Sequence, residues 1–153
     1  MTTLLEFCAG KPVESFGPDE VIIGENHKDG KLRILKRGVV EIAKRGTIVN
    51  RLSSPGSVLG EIAILLDQSF GATVTTLEDT EVYVIEEGDR FLQENPDFMA
   101  LVAKLIAKRL RNLTDELVEI REQVEAQRED GNDMEQFDGV LQRLIDHHLD
   151  REY

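Results

Sequence analysis

The most informative stretch of the sequence runs from Pro55 to Leu66 and reads PGSVLGEIAILL, with GATV following at Gly71 to Val74. Gly60 interrupts a short apolar run, and the acidic Glu61 comes directly after it. A short helix that opens near Gly60 would point backbone N–H groups and its positive dipole end at an anion. The stretch therefore predicts either an anion-holding turn or, more simply, a turn glycine followed by an acid that favours a helix start.

The residues before position 95 carry strand and turn signals. Turns at Asp29-Gly30 and at Lys44-Arg45-Gly46 separate short apolar runs, which is the hairpin pattern. In the last run, Val82 and Val84 share one face of the predicted strand. The runs are Leu32–Leu35, Gly38–Ala43, Thr47–Leu52 and Thr80–Ile85. They predict an antiparallel β-domain, although periodicity alone does not choose among sandwich, roll and barrel.

After Asn95-Pro96 the pattern becomes that of a long helix, with Asn95 suited to its cap and Pro96 to its first turn. Apolar residues then keep heptad spacing through Val124, which predicts a parallel dimeric coiled coil. The predicted dimerisation seam consists of Ile106, Leu110, Leu113, Leu117, Ile120 and Val124. The start of the helix, from Met99 to Ile106, is apolar on more sides, so we expect it to pack against the β-domain as well.

The C-terminal tail follows polar residues around Gly131, which predict a break in the helix. Apolar residues then recur at helical spacing and predict a short amphipathic helix over 134–150, which either folds back or binds a partner. They are Phe137, Val140, Leu141, Leu144, Ile145 and Leu149. The tail is too short and too acidic for a helix-turn-helix, so we expect no direct DNA binding.

The stretch from Pro55 to Val74 resembles the phosphate-binding cassette of cyclic-nucleotide-binding domains. These domains are the β-rolls of catabolite-activator-type regulators, protein kinase regulatory subunits and nucleotide-gated channels. The resemblance extends over residues 15–125. It implies a mainly β fold with α, in which an antiparallel, jelly-roll-like β-roll (a double-stranded β-helix) precedes a long C-terminal dimerisation helix. The expected divisions are a β-roll at 1–98, the coiled-coil helix at 96–128 and an acidic tail with a short amphipathic helix at 129–153.

The resemblance also implies a set of ligand-binding residues. Glu61 would accept a hydrogen bond from a ribose 2′-hydroxyl, and the hydroxyls of Ser69 and Thr73 would help to hold the ribose-phosphate. The arginine that pairs with the cyclic phosphate in this family is missing, because Phe70 takes its place and no Lys or Arg lies between Pro55 and Leu77. An aromatic ring offers a phosphate no charge-assisted hydrogen bond. The candidate ligand-binding residues are Leu59, Gly60, Glu61, Ile62, Ala63, Ser69, Phe70, Ala72, Thr73 and Arg109.

Three functions remain open. In the first, a regulatory or sensor module binds cAMP or cGMP weakly and signals through its dimer helix, with a replacement cation such as Arg109 supplied from that helix. In the second, the pocket is degenerate, Phe70 closes it, and the chain is a scaffold for a protein partner or takes a different ligand. The third function is that of an enzyme. It lacks support because the sequence shows no metal-ligand spacing, no nucleophile elbow and no lysine-bearing phosphate loop. We therefore expect no catalytic activity.

Charge and composition narrow the partners. The chain has 18 Lys and Arg against 30 Asp and Glu, a net charge of −12, which disfavours binding to nucleic-acid phosphates. The N-terminus shows no targeting pattern and no apolar run is long enough to span a membrane, so we expect a cytoplasmic protein. The single cysteine, Cys8, has no partner for an internal disulfide. Since no output domain is fused to the roll, we expect a homodimer that works with a separate output protein.

Overall fold

The computed structural model describes residues 3–126, 135 and 137–143. The chain divides into two compact units, residues 1–104 and residues 105–153. The strands are β1 (Val13–Phe16), β2 (Val21–Ile23), β3 (Leu32–Arg37), β4 (Val40–Lys44), β5 (Thr47–Leu52), β6 (Val58–Leu59), β7 (Thr73–Thr76) and β8 (Thr80–Ile85). The helices are α1 (Glu61–Leu65), α2 (Gly88–Glu94) and α3 (Pro96–Ala126), preceded by a 3-10 turn at Leu4–Cys8.

The first unit contains two four-stranded antiparallel sheets. Their strand orders are β1-β8-β3-β6 and β2-β7-β4-β5, so strands that are distant in sequence lie side by side in both. This arrangement confirms the predicted antiparallel, jelly-roll-like roll followed by a long helix. The four predicted apolar runs coincide with β3, β4, β5 and β8.

The hairpin between β4 and β5 shows why these strands were predictable. Arg45 and Gly46 both have positive φ, of 51° and 77°. Two consecutive residues in this conformation give the turn whose twist matches that of the paired strands. The turn sequence therefore sets the register in which Lys44 pairs with Thr47.

The interior of the roll lies between the two sheets. Residues directly opposite each other in an antiparallel pair share a face of the sheet. Val82 and Val84 of β8 point to this interior, as the alternation in the sequence predicted, and they pack there with Leu35 of β3. The buried interior cluster is Ile22, Ile23, Leu35, Val40, Leu59, Ala63, Phe70, Val74, Val82 and Val84. Burial of such side chains stabilises a fold by about 1.5–3 kcal/mol each.

Three aromatic rings join the helical elements of the first unit. Phe98 of α3 is fully buried, with its ring edge-on to Phe7 at 5.3 Å and to Phe91 of α2 at 5.0 Å between centroids. Val102 is also buried, so the start of α3 takes part in the packing of the first unit. The helix α2 was not predicted, because seven residues are too few to show helical periodicity.

A buried threonine joins the end of β7 to the loop between β1 and β2. The hydroxyl of Thr76 donates to the backbone carbonyl of Gly17 and accepts a hydrogen bond from the backbone N–H of Glu20 at 2.9 Å. Thr76 has no exposed surface, and both bonds are partly buried. Asn95, the predicted cap of α3, has a double role, because its side-chain amide donates to the carbonyl of Phe91 at 2.8 Å and so closes α2.

The second unit continues α3 from Leu105. The predicted seam is partly exposed there, with Leu110 at 63%, Leu113 at 55% and Ile120 at 47% of full exposure. Residues 137–143 are helical, and Arg121 Nε lies 3.0 Å from Asp138 Oδ1, so this segment lies beside α3. The predicted break at Gly131 and the apolar residues Leu144, Ile145 and Leu149 lie outside the described residues.

Candidate functional site

The cassette is built by a strand, a left-handed glycine and a short helix. Gly60 follows β6 with a φ of 90° and precedes α1. A Cβ at this position would lie 2.9 Å from Phe70 Cε1 and 3.3 Å from the carbonyl oxygen of Lys31. Both the backbone angle and the lack of space therefore require glycine here.

Glu61, the first residue of α1, is a buried acid. Only 3% of its surface is exposed. A glutamate is seldom this deeply buried on the inside of a protein, since removal of a carboxylate from water is costly. The carboxylate to which the resemblance assigns a ribose contact is therefore buried in the fold and not exposed at its surface.

Phe70 lies in the interior of the roll, where only 5% of its surface is exposed. Its backbone N–H donates to the carbonyl of His27 at 2.7 Å, and its carbonyl accepts from the N–H of Asn26 at 2.8 Å. These bonds hold the segment while the ring packs against Gly60. The place expected for a phosphate-binding arginine is thus occupied by an uncharged side chain that belongs to the core.

The remaining predicted ligand-binding residues differ in their surroundings. Leu59 and Ala63 are buried in the interior cluster beside Phe70. Thr73 is half-buried, and its hydroxyl accepts a hydrogen bond from the backbone N–H of Glu25 at 3.2 Å. Ala72 is half-buried, whereas Ile62 and Ser69 are exposed. Arg109 is half-buried in the second unit, so the structure does not test its predicted role beside the cassette.

Arg33 is a functional candidate that the sequence analysis missed. It is the second residue of β3, directly opposite Leu59 of β6 and Val84 of β8. Because both of those residues belong to the interior cluster, Arg33 shares the inward face of the sheet. Its side chain is only 7% exposed. The available signal was a single arginine inside the apolar run Leu32–Leu35.

One carboxylate orients this guanidinium. Arg33 Nη2 lies 2.7 Å from Asp29 Oδ2, while Asp29 Oδ1 accepts the backbone N–H of Lys31 at 2.9 Å. Partial burial raises the pKa of Asp29, but the hydrogen bonds from Arg33 and Lys31 together with their charges outweigh that effect and hold it below its usual range. Within the part of the chain that the structure describes, Arg33 Nε and Nη1 are buried and have no hydrogen-bond partner.

A cavity of about 310 Å³ lies beside the cassette. Its lining residues are Lys28, Asp29, Gly30, Ala63, Ile64, Leu65, Asp67, Gln68, Phe70 and Asp89. The volume is at the lower end of the range for small-molecule sites, which is about 300–1,000 Å³. Three aspartates against one lysine make the lining acidic, and Lys28 Nζ is itself paired with Asp67 Oδ1 at 2.7 Å. Phe70 and Ala63 both line this cavity and both belong to the interior cluster, so the cavity adjoins the core at these two residues.

The family follows from a match that covers more than half of the chain. The model of the cyclic nucleotide-binding domain matches residues 13–93. The chain therefore belongs to the cyclic nucleotide-binding domain family, whose fold is typical of regulatory and sensor proteins.

Solved structures agree on the fold. The chain is similar to the Catabolite Activator Protein of Thermus thermophilus, with a TM-score of 0.63 and 21% identity over 76% of this chain and 58% of that one. Similarity to cAMP-bound PfPKA-R gives a TM-score of 0.56 at 18% identity over 71% of this chain and 36% of that one. An EAL enzyme gives a TM-score of 0.50 at 22% identity, over 69% of this chain and 99% of that one. At these identities the likenesses support the fold, and since one similar protein is an enzyme, the absence of catalysis stays a prediction.

No helix among the described residues is both long and apolar enough to cross a membrane. The same part of the chain holds no group of three or more metal-binding side chains.

Proposed function

We propose that this chain is a regulatory module whose roll binds a cyclic nucleotide, cAMP or cGMP, without the arginine that its family uses. The observation that carries this proposal is the pairing of left-handed Gly60 with the buried carboxylate of Glu61. Glu61 occupies the position that the family resemblance assigns to a ribose contact, and a carboxylate accepts a charge-assisted hydrogen bond from a hydroxyl. The cAMP-bound PfPKA-R, which shares the fold, supports the choice of ligand class.

The ligand has to displace the ring of Phe70. Exposure of a buried phenylalanine costs about 1.5–3 kcal/mol, which corresponds to a loss of about ten- to a hundredfold in affinity. Movement of the ring would join the adjacent 310 Å³ cavity to the interior of the roll. We therefore expect weak binding, in the micromolar to millimolar range, and a local rearrangement between residues 66 and 72 on binding.

Signalling would use the helix that leaves the roll. Phe98 and Val102 anchor the start of α3 in the first unit, and the exposed apolar residues Leu110 and Leu113 lie on the seam predicted for a homodimer. A ligand that shifts the anchor would change the population of dimer states by its difference in affinity for them. The acidic net charge argues for a separate output protein rather than for DNA. The cytoplasmic location stays a prediction.

A calorimetric titration tests the ligand. Cyclic AMP and cyclic GMP are titrated into the protein, with AMP and GMP as controls for the cyclic phosphate. We expect saturable binding of one cyclic form and at least tenfold weaker binding by Glu61→Gln, since a hydrogen bond to a charged group is worth about 1.5–3 kcal/mol. Glu78→Gln, which changes an exposed acid in a turn, is the matched control and should bind like the wild type. Equal binding by both variants would refute the role of Glu61.

Sedimentation velocity tests the dimer. Leu113→Asp places a charge in the predicted seam and should convert a dimer to a monomer at micromolar concentration. Asn112→Asp adds the same charge at an exposed neighbouring position outside the heptad seam and should leave the dimer intact. A monomeric wild type, or a dimer unaffected by Leu113→Asp, would refute the proposed seam.

The burial of Phe70 favours a second candidate, a scaffold whose roll no longer takes a nucleotide. In that case the wild type would show no heat and no rise in melting temperature with millimolar cyclic nucleotide, a concentration at which even weak binding stabilises the folded state. Phe70→Arg restores the charge of the family pattern and would then create binding that the wild type lacks. Binding by the wild type itself would exclude this candidate.

A further inference from the structure

We propose that Arg33 is the anion-binding residue of the roll interior, where its guanidinium takes the phosphate of the ligand in place of the missing arginine. The proposal rests on the proposed function for the identity of that ligand. The residue lies on β3, outside the cassette, so a comparison of cassette sequences does not reveal it.

The strand register places Arg33 next to the cassette. It is directly opposite Leu59, which immediately precedes Gly60 and Glu61 in the chain. Arg33 therefore enters the interior from the wall of the roll that adjoins the start of α1. Phe70 packs against Gly60, the residue after Leu59, so Arg33 and Phe70 lie beside consecutive residues of the cassette.

The hydrogen bonds of Arg33 are incomplete in a way that suits an anion. A guanidinium has five N–H donors and no acceptor. Asp29 takes one of them through Nη2, whereas Nε and Nη1, which carry three N–H groups, are buried without a partner among the described residues. A buried charged donor without a partner is unfavourable, and a phosphate oxygen would satisfy it with a charge-assisted hydrogen bond.

The guanidinium is also held in position before any ligand arrives. Asp29 is itself fixed by the backbone N–H of Lys31 at 2.9 Å, so both ends of the carboxylate are engaged. A donor that is already oriented loses less conformational freedom on binding than a flexible surface side chain. Asp29 is thus a positioning residue, and Arg33 is the group that contacts the anion.

Two titrations test the proposal, one with cyclic AMP or cyclic GMP and one with inorganic phosphate. For Arg33→Gln we expect at least a thirtyfold loss of affinity for whichever probe binds the wild type. Arg37→Gln is the matched control, since Arg37 lies on the same strand but is exposed and paired with Glu81. The affinity of this variant should stay within twofold of the wild type.

A second measurement uses wild-type protein, so it does not depend on the folding of the variant. The Nε–H resonance of Arg33 in ¹⁵N-arginine-labelled protein, assigned by its loss in Arg33→Lys, should shift on saturation with the same probe.

The outcomes separate this proposal from the proposed function. If a cyclic nucleotide binds and Arg33→Gln binds it equally, or the Nε–H resonance does not move, the role of Arg33 is overturned while the function stands. If only inorganic phosphate binds and Arg33→Gln abolishes that binding, the anion site stands and the cyclic nucleotide is overturned. If neither probe binds the wild type, both are overturned.

Discussion

The contact between Gly60 and Phe70 gives a prediction that can be worked out from the structure. In Gly60→Ala, the φ of 90° costs an L-residue about 1–3 kcal/mol. The new Cβ would also lie 2.9 Å from Phe70 Cε1, and overpacking of this kind adds about 1–3 kcal/mol. The free energy of unfolding should therefore fall by about 2–6 kcal/mol.

The double variant separates these two contributions. Phe70→Leu alone should cost about 1–3 kcal/mol, because it shortens a buried side chain. Since it also removes the Cε1 atom that the new Cβ would meet, the combined variant should be more stable than the sum of the single effects by about 1–2 kcal/mol. Chemical unfolding followed by circular dichroism, at one protein concentration, measures all four free energies of unfolding.

Gly46 supplies a matched control for the backbone contribution. Its φ is 77°, but a Cβ there would meet nothing within 4 Å. Gly46→Ala should therefore show the conformational cost without overpacking and should be additive with Phe70→Leu. If Gly60→Ala is additive with Phe70→Leu within about 0.5 kcal/mol, the ring does not occupy the space in front of Gly60 and the reasoning about the site is wrong.

Three further predictions concern other parts of the roll. Thr76→Val should lower the free energy of unfolding by about 1–3 kcal/mol, because it removes the hydroxyl that bonds the Gly17 carbonyl and the Glu20 N–H in a partly buried place. Thr76→Ser keeps the hydroxyl and should retain most of that free energy; equal losses in the two variants would contradict this account. Because the folded-state pKa of Asp29 is lowered, ionised Asp29 stabilises the fold above the ordinary aspartate pKa, and this stabilisation is lost as the pH falls through the folded-state pKa. The free energy of unfolding, measured as a function of pH in the acid range, should therefore fall less steeply for Asp29→Asn than for the wild type. Burial raises the pKa of the Cys8 thiol to about 11, and the charge of Lys11 opposes this shift only weakly. Alkylation by iodoacetamide at pH 8 should therefore be slow in the folded protein and fast in denaturant. Rapid alkylation of the folded protein would show that Cys8 is accessible.

The sequence by itself determined the elements whose signals are local. Four strands followed from short apolar runs bounded by turns, and the turn at Arg45-Gly46 followed from residues that accept positive φ. The start of α3 at Pro96 was equally visible, since proline suits the first turn of a helix. Gly60 and Glu61 could be recognised because the cassette is contiguous in the chain. The seven-residue α2 could not, because it is too short to show a period.

The tertiary structure alone decided what Phe70 and Arg33 do. The sequence shows that Phe70 takes the place of the family's arginine, but only the packing of the segment after α1 against Gly60 places its ring in the interior. Arg33 lies among apolar neighbours on β3, but its direction depends on how β3 pairs with β6 and β8, whose residues opposite it are Leu59 and Val84. A register shifted by one residue would turn Arg33 to the other face, and long-range pairing fixes that register.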